Sequence, residues 1–405
     1  MTVERDIAGF VVPFAAGIMA VFLFNPSAVW LQAAGLWLPA AVSCAVSAIS
    51  LCFLIHPSHL RWNGYLLMTV IILAAFGCGC MTGYTWRFIS IGTPSGVSVI
   101  PDWISGLGLS MKSRIEALPF MNSGTNHLIA ALITGDRTGL SADVMQSFRD
   151  SGAAHILALS GLHLGIIYGT LSSILSVFGN SPMAKKVRSV LIILICGLYT
   201  AATGAGASIT RAFLFILIGE TASLTGRYRS TASVLMTALF IQLLFSPSSS
   251  RDVGFQLSYA AMAGIAFIFP RIKELWPAGR GGALRWIWNS AAMSISCQIT
   301  TGPLAYLYFG TFPQYFLLTN LLALPLVGVI IPMSLLVLGL DAAGMCPMVL
   351  FRGVEGMVEG MMFILGVIGS MYGDTQNAVT QHFRGSCLLH GCSRHEPLKH
   401  CVSHR

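Results

Sequence analysis

Charged residues are scarce along this chain. Asp, Glu, Lys and Arg make up 9% of its 405 residues, and 55% of the residues are hydrophobic. A soluble domain carries roughly 25% charged residues, so this composition excludes an ordinary soluble protein. Residues 7–60 and 286–340 contain no charged residue, and each run is long enough for two membrane helices of about 20 residues. The sequence therefore predicts an all-α polytopic membrane protein.

The sequence also lacks the patterns of a disulfide framework, a metal site and a nucleotide-driven motor. Seven of the ten cysteines are scattered through apolar runs, where cysteine behaves as a small apolar residue. The tail from Thr380 holds the other three cysteines and five histidines. It has no C-x2-C pair, so disorder or translation out of frame explains it better than a zinc site. With no phosphate-binding loop either, we expect no metal, no cofactor and no enzymatic activity.

About eleven membrane helices account for the apolar runs and for the basic residues between them. With the amino terminus in the cytoplasm, every loop rich in Lys and Arg falls on the cytoplasmic side, as the positive-inside rule requires. Several of these helices are expected to be broken or interrupted by polar residues. The predicted spans are 7–24, 29–55, 65–82, 155–178, 189–205, 209–225, 231–246, 254–269, 287–309, 315–339 and 348–371.

Four segments follow from this arrangement. Residues 1–85 form a three-helix membrane block, and residues 86–125 form a short extracytoplasmic linker with an amphipathic helix near Trp103–Leu118. Residues 126–373 form a second membrane domain. Residues 374–405 form a Cys- and His-rich tail that we expect to be disordered.

Polar residues cluster between residues 126 and 168. Asp136 and Arg137 lie in a charged turn, and His155, Ser160 and His163 lie in or beside the next apolar run. Ser160 and His163 are three apart, which places them on one helical face, with His155 roughly on the same face. A Ser-His pair with Asp136 would be a formal hydrolase triad, although a triad requires geometry that spacing alone does not supply. The alternative is that these groups bond between helices or line a wet cavity.

Helix signals accompany this cluster. Ser141 is expected to cap a short helix, with Asp143 in its first turn. Gly161, Gly165 and Gly169 are spaced four apart and predict close packing against another helix.

Arg211 enters an apolar run after a stretch of small residues that includes Ser208. An arginine at that depth either reaches the interface or faces an aqueous path, where its guanidinium would suit a phosphate-bearing substrate. Asp252 is expected to cap the helix that carries Gln256, and to pair with Arg211.

Two later stretches predict helix breaks inside charge-free runs. Gln298 precedes Pro303, and Asn320 precedes Pro325. Broken helices are tolerated within a membrane where they line a cavity. The convergence of these features predicts a cavity or channel.

The order of these motifs resembles the competence domain of the ComEC family. The stretches are G-D-R-T-G-L, F-R-D-S-G-A-A-H-I-L-A-L-S-G-L-H-L-G, A-S-I-T-R-A, D-V-G-F-Q-L-S-Y-A-A, Q-I-T-T-G-P-L-A-Y-L-Y-F-G and N-L-L-A-L-P-L. The resemblance implies a channel in the bacterial inner membrane that passes single-stranded DNA into the cytoplasm, in contact with membrane lipid. The candidate lining residues are Asp136, Arg137, His155, Ser160, His163, Ser208, Arg211, Asp252, Gln256, Gln298 and Asn320.

Two features of full-length family members are not seen. The interval of about 40 residues before residue 126 is too short for an oligonucleotide-binding-like domain, and no H-x-H-x-D-H motif marks a metallo-β-lactamase-like domain. The resemblance then implies a permease core that needs a separate DNA receptor and a cytoplasmic motor. A homo-oligomer is compatible with it. A transporter of a smaller solute and a truncated inactive copy are the alternatives.

Overall fold

The structure, a computed structural model, describes residues 2–23, 64–92, 101–157, 159–179, 181–226, 230–275, 282–310 and 315–389. Within these ranges every regular element is helical. The helices are α1 (Thr2–Leu23), α2 (Gly64–Gly92), α3 (Asp102–Glu116), α4 (Ser123–Thr134), α5 (Ala142–Asp150), α6 (Ala154–Leu157), α7 (Gly161–Ser176), α8 (Pro182–Ala202), α9 (Ala207–Leu224), α10 (Thr231–Phe245), α11 (Val253–Lys273), α12 (Ala283–Phe309), α13 (Phe316–Ala342) and α14 (Met348–Leu389). A 3-10 turn, Pro247–Arg251, precedes α11.

Four of these helices are long and apolar enough to cross a membrane by length and composition: α9, α11, α13 and the Met348–Met371 part of α14. The protein is thus a helical membrane protein. The count of about eleven spans remains a prediction, and the predicted span at 29–55 lies outside the described residues.

Two predicted helix starts are confirmed. The Ser141 hydroxyl accepts a hydrogen bond from the Val144 N–H at 3.3 Å, and Asp143 lies in the first turn of α5. The Asp252 carboxylate accepts from the Gly254 N–H at 3.2 Å at the start of α11. Each bond satisfies one of the backbone donors that a helix leaves unpaired at its amino end. The amphipathic helix predicted near residues 103–118 is also present, as α3.

α1 and α2 pack with almost no space between their backbones. A Cβ added to Gly17 would collide with the Phe76 carbonyl, and one added to Gly79 would collide with the Phe14 carbonyl. The Cys80 thiol donates to the Gly17 carbonyl at 3.4 Å. Only glycine permits this approach, which the small residues of the α2 sequence predict.

α4 lies at the centre of a second core, formed with α3, α5, α6, α13 and α14. Asn126 fixes the end of α3, because its Nδ2 donates to the carbonyls of Ile115 at 2.9 Å, Glu116 at 3.2 Å and Leu118 at 2.9 Å. Glu355 of α14 accepts from the Asn122 N–H at 2.7 Å, at the amino end of α4.

The predicted helix breaks at the prolines are wrong. α12 continues through Pro303, and α13 continues through Pro325 and Pro332. Threonine side chains near Pro303 bond to carbonyls of the preceding turn, for example Thr301 to the Cys297 carbonyl at 2.8 Å. Such local bonds allow a proline-containing helix to persist in a membrane.

Real interruptions lie elsewhere. α6 ends at Leu157 and α7 begins at Gly161, so the predicted span at 155–178 is two helices. A turn with Gly204 at φ 85° and Ala205 at φ 48° separates α8 from α9, as the small residues there predict. α11 contains a π-helical segment, Gly264–Ile268, where a Cβ on Gly264 would collide with the Ser296 carbonyl of α12. At the other end of the chain, α14 runs to Leu389, so the tail predicted to be disordered from residue 374 begins as helix.

Candidate functional site

Five helices contact one another in a closed sequence. α7 contacts α9, α9 contacts α11, α11 contacts α12, α12 contacts α13, and α13 contacts α7. We call this set the helix ring. Each of its helices carries one or more of the polar residues singled out by sequence: His163 on α7, Arg211 on α9, Gln256 on α11, Gln298 on α12 and Asn320 on α13.

Arg211 is buried in the ring at 2% exposure. Its Nη2 donates to the Gly254 carbonyl at 2.8 Å, and its guanidinium lies 5.5 Å from the Phe255 ring centroid and 5.7 Å from that of Tyr259. Its Nε and Nη1 have no hydrogen-bond partner among the described groups of the protein. Arg211 is therefore held by α11 on one side and keeps two donors without a protein partner among the described groups.

The predicted ion pair between Arg211 and Asp252 is not formed. No ion pair joins Arg211 to a carboxylate among the described residues, and Asp252 is an exposed N-cap. The Gly254 carbonyl occupies the position beside the guanidinium instead. Ser208 lies half-buried in the first turn of α9.

Gln256 bonds the first turn of α11 to the preceding 3-10 turn and to α12. Its Nε2 donates to the Ser250 carbonyl at 3.0 Å, and its Oε1 accepts from the Tyr308 hydroxyl of α12 at 2.7 Å. Both ends of the amide are used, so Gln256 holds helices together.

Ser160 and His163 form a helix cap. Ser160 is the N-cap of α7, its hydroxyl lies 3.1 Å from His163 Nδ1, and its own N–H donates to that nitrogen at 3.3 Å. Because Nδ1 accepts, Nε2 of the neutral ring carries the proton, and this buried nitrogen has no partner among the described groups. The reciprocal bonds of a capping box account for the pair. The prediction that His155 continues the same helical face is wrong, because His155 lies on α6, exposed, with Nδ1 3.1 Å from the Gly152 carbonyl.

Gln298 and Asn320 complete the ring. Asn320 donates weakly to the Ser294 hydroxyl of α12 at 3.4 Å, while its Oδ1 has no partner among the described groups. Gln298 Nε2 is also buried and unpaired there. Gln298 borders an open, mostly apolar groove of about 520 Å³ that Pro303, Tyr306 and Phe316 also line.

Asp136 and Arg137 lie outside the five helices of the ring and are bonded within the protein. Asp136 accepts from Lys112 Nζ at 2.5 Å and from the Thr138 N–H at 2.9 Å. The hydrogen bond from Lys112 is the main cause that lowers the pKa of Asp136 to about 2, and the same bond raises the pKa of Lys112. Arg137 Nε donates to the Leu157 carbonyl at 3.0 Å, at the end of α6.

The close helix packing predicted at the three glycines of α7 is seen at one of them. A Cβ on Gly161 would lie 3.3 Å from the Ala212 side chain of α9, whereas Gly165 and Gly169 face open space. Gly161 thus allows the start of α7 to pack against Ala212 of α9, the residue after Arg211.

Sequence reasoning missed a buried carboxylate on α9. Glu220 is 8% exposed and is bonded to Tyr168 of α7 and Ser189 of α8. One signal was present, since Glu220 is the only charged residue between Arg211 and Arg227.

Among the residues that the structure describes, no group of three or more His, Cys, Asp or Glu side chains could hold a metal ion. The cysteines of the tail fall outside the described side chains. What the ring offers is a set of polar groups, with donors free on Arg211, His163 and Gln298 and an acceptor free on Asn320.

Comparison with known proteins agrees with the motif order. The family model described as "Competence protein" matches residues 132–389. The chain is 31% identical to ComE operon protein 3 of Bacillus subtilis over 172 residues, which cover 41% of this chain and 22% of that protein. It is 28% identical to competence protein ComA of Neisseria gonorrhoeae over 259 residues, which cover 61% of this chain and 36% of that protein.

A third relative, the uncharacterized protein YcaI of Escherichia coli, is 25% identical over 265 residues, which cover 63% of this chain and 34% of that protein. The chain therefore matches about a fifth to a third of the length of these curated relatives. No solved structure matches it. Since the family model covers more than half of the chain and includes every helix of the ring, the chain belongs to the competence protein family of the ComEC type.

Proposed function

We propose that this chain is the membrane core of a channel that passes single-stranded DNA into the cytoplasm. The observation that carries the proposal is the helix ring, in which buried polar atoms of His163, Arg211, Gln298 and Asn320 have no protein partner among the described groups. The family membership and the name of the gonococcal relative support a role in competence.

Unpaired polar atoms inside membrane helices favour a wet interior. A buried polar group without a partner costs about 1–3 kcal/mol, so four such residues on neighbouring helices are not explained by stability. Water or a polar substrate would satisfy them. Polar and charged residues at membrane depth usually face such a path.

The end of the ring at Arg211 suits a polyanion. Arg211 is a buried cation that no carboxylate pairs with among the described residues, and Glu220, the buried carboxylate of α9, lies nine residues further along that helix. A guanidinium with unused N–H groups binds phosphate oxygens well, and a DNA strand presents one phosphate per nucleotide.

The proposal includes a location, an orientation and partners for the protein. We place the protein in the bacterial inner membrane as a multi-pass protein with a cytoplasmic amino terminus, on the basis of its loop charges. It acts as a channel and not as an enzyme. A separate DNA receptor and a cytoplasmic motor complete the system, and assembly of the channel as a homo-oligomer is part of the proposal.

The experiment is uptake of end-labelled duplex DNA into the cytoplasm. It compares a deletion strain with strains that express the full chain, Arg211→Ala, Arg211→Lys or Arg271→Ala. Arg271 is the matched control, because it is an exposed arginine of α11 that bonds only to its own helix. Protein level and detergent-solubilised size are measured for every variant.

We expect the full chain and Arg271→Ala to restore uptake. Arg211→Ala should lower it by about tenfold or more, since losing a phosphate contact of ~1.4 kcal/mol changes a rate or affinity tenfold. Arg211→Lys should fall between them. Equal uptake in the deletion and its parent would overturn the proposal and favour an inactive copy. Uptake of short and long polymers at the same rate, with binding of a defined solute, would favour a solute transporter.

A further inference from the structure

Glu220 is a carboxylate buried between three helices. Its Oε1 accepts from the Tyr168 hydroxyl of α7 at 2.7 Å, and its Oε2 accepts from the Ser189 hydroxyl of α8 at 2.6 Å. It is 8% exposed and lies four residues before the end of α9 at Leu224, or about 6 Å along the helix. Glu220 therefore lies near the carboxyl end of α9 and is buried there.

No cationic side chain pairs with Glu220 among the described residues, where its bonds are to the two hydroxyls. The titratable groups facing it are Tyr168 of α7 and the Cys196 thiol of α8, which experiences its charge. The charged groups on the helices packed against α9 lie near the helix ends: Lys185, Lys186 and Arg188 on α8, and Arg271 and Lys273 on α11. All are exposed except Arg188, which is half-buried and precedes Ser189. α10 contains no titratable residue, and His163, Tyr199 and Tyr259 are engaged elsewhere.

The two hydroxyl partners suit both charge states of a carboxyl group. A hydroxyl can donate to the ionised form and can accept from the O–H of the protonated form. A lysine, an arginine or a backbone N–H can only donate and would favour the ionised form alone. The other buried glutamate, Glu355, has such a partner, the Asn122 N–H.

We propose that Glu220 is a proton-binding site that sets the contact of α9 with α7 and α8. Arg211 lies on the same helix nine residues earlier, which is about 13.5 Å along the axis and on the opposite face. When Glu220 binds a proton, its bonds to Tyr168 and Ser189 rearrange, and a shift of α9 moves Arg211 within the helix ring. Proton binding stands on the geometry of Glu220 alone, while its coupling to passage of a strand rests on the proposed function.

The first test is an infrared titration of the purified full chain in lipid nanodiscs. The C=O stretch of a protonated carboxyl should appear on acidification, and the part that belongs to Glu220 should be lost in Glu220→Gln. Glu355→Gln is the matched control and should keep that part. If Glu220→Gln does not fold, Ser189→Ala and Tyr168→Phe retain the carboxylate and should each move the midpoint of the same band. A band unchanged in all three of these variants overturns the proposal.

The second test reports movement of α9 without any DNA. Ser208→Cys is placed in a background whose own cysteines are replaced, and its labelling rate is measured against pH with Glu220 intact and with Glu220→Gln. The ratio of the two rates cancels ionisation of the thiol itself. A ratio that changes across the infrared midpoint supports the coupling, and a constant ratio overturns it. Both tests give an answer even if the chain fails to restore DNA uptake, so the two proposals fail separately.

Discussion

The charged turn around Asp136 and the helix ring differ in whether their polar groups have hydrogen-bond partners. In the turn, Asp136 accepts from Lys112 and Thr138, and Arg137 donates to a helix carbonyl. In the ring, Arg211 and Asn320 keep buried atoms without a partner among the described groups. The charged pair Asp136 and Arg137 thus holds parts of the fold together. The amide of Asn320 and the guanidinium of Arg211 identify the candidate path.

The largest expected effect is on DNA uptake, when a polar residue of the ring is replaced by an apolar one. Gln298→Met preserves shape and removes a buried donor that no protein group satisfies among the described residues, so the free energy of unfolding should fall by no more than about 0.5 kcal/mol. DNA uptake should nevertheless fall by about tenfold, because the path loses a polar contact. Thermal unfolding in detergent and uptake in cells are the two measurements. Leu307→Met, at an exposed position of the same helix outside the groove, is the control and should change neither.

A Gln298→Met protein that is less stable and still takes up DNA would contradict the difference drawn between the ring and the charged turn. It would mean that Gln298 is bonded within the native protein and supports the fold, as the residues of the charged turn do.

Asp136→Asn should have the reverse signature, with lower stability and nearly normal uptake. Its carboxyl pKa is lowered from 3.8 to about 2, so the ionised form stabilises the fold above pH 3.8 and this contribution is lost as the pH falls through about 2. At neutral pH we expect a loss of about 1 kcal/mol, since solvent screens this partly exposed pair. Unfolding measured against pH should show the two proteins converging near pH 2, and high salt should reduce the difference. A difference that persists at that pH would exclude the Lys112 pair as its cause.

The smallest effect is expected at Gly165. Its Cα faces open space, so Gly165→Leu should change stability by no more than about 0.5 kcal/mol. Gly161→Leu should be more harmful, because a Cβ there already lies 3.3 Å from Ala212. Loss of uptake in Gly165→Leu, together with a smaller particle in detergent, would show that this face of α7 meets a second copy of the chain.

Sequence reasoning placed the helices well and their interruptions poorly. Apolar runs determine where a helix lies, so α9 to α13 appear within a few residues of the predicted spans. Pro303 and Pro325 were interpreted as breaks because proline removes a backbone donor. Within a membrane the remaining backbone groups have no water to bond to, so the helix is retained.

The candidate site is predicted only in part, because the sequence shows which residues are polar but not which neighbours contact them. Residue type identifies polar groups such as Arg211 and Asn320, but whether a neighbour satisfies them depends on contacts between distant helices. The Gly254 carbonyl beside Arg211 is 43 residues away in sequence. Glu220 forms no motif with its neighbours in sequence, and only its packing against α7 and α8 distinguishes it.

The bonds around α4 also have a consequence for the order in which the protein is made. Asn126 binds carbonyls 8 to 11 residues before it, so the α3–α4 hairpin can close while synthesis continues. The Asn122 N–H must wait for Glu355, which emerges from the ribosome 233 residues later. The first bonds of this core therefore form early and the last only when α14 inserts, which makes that insertion the step that completes biogenesis of the core.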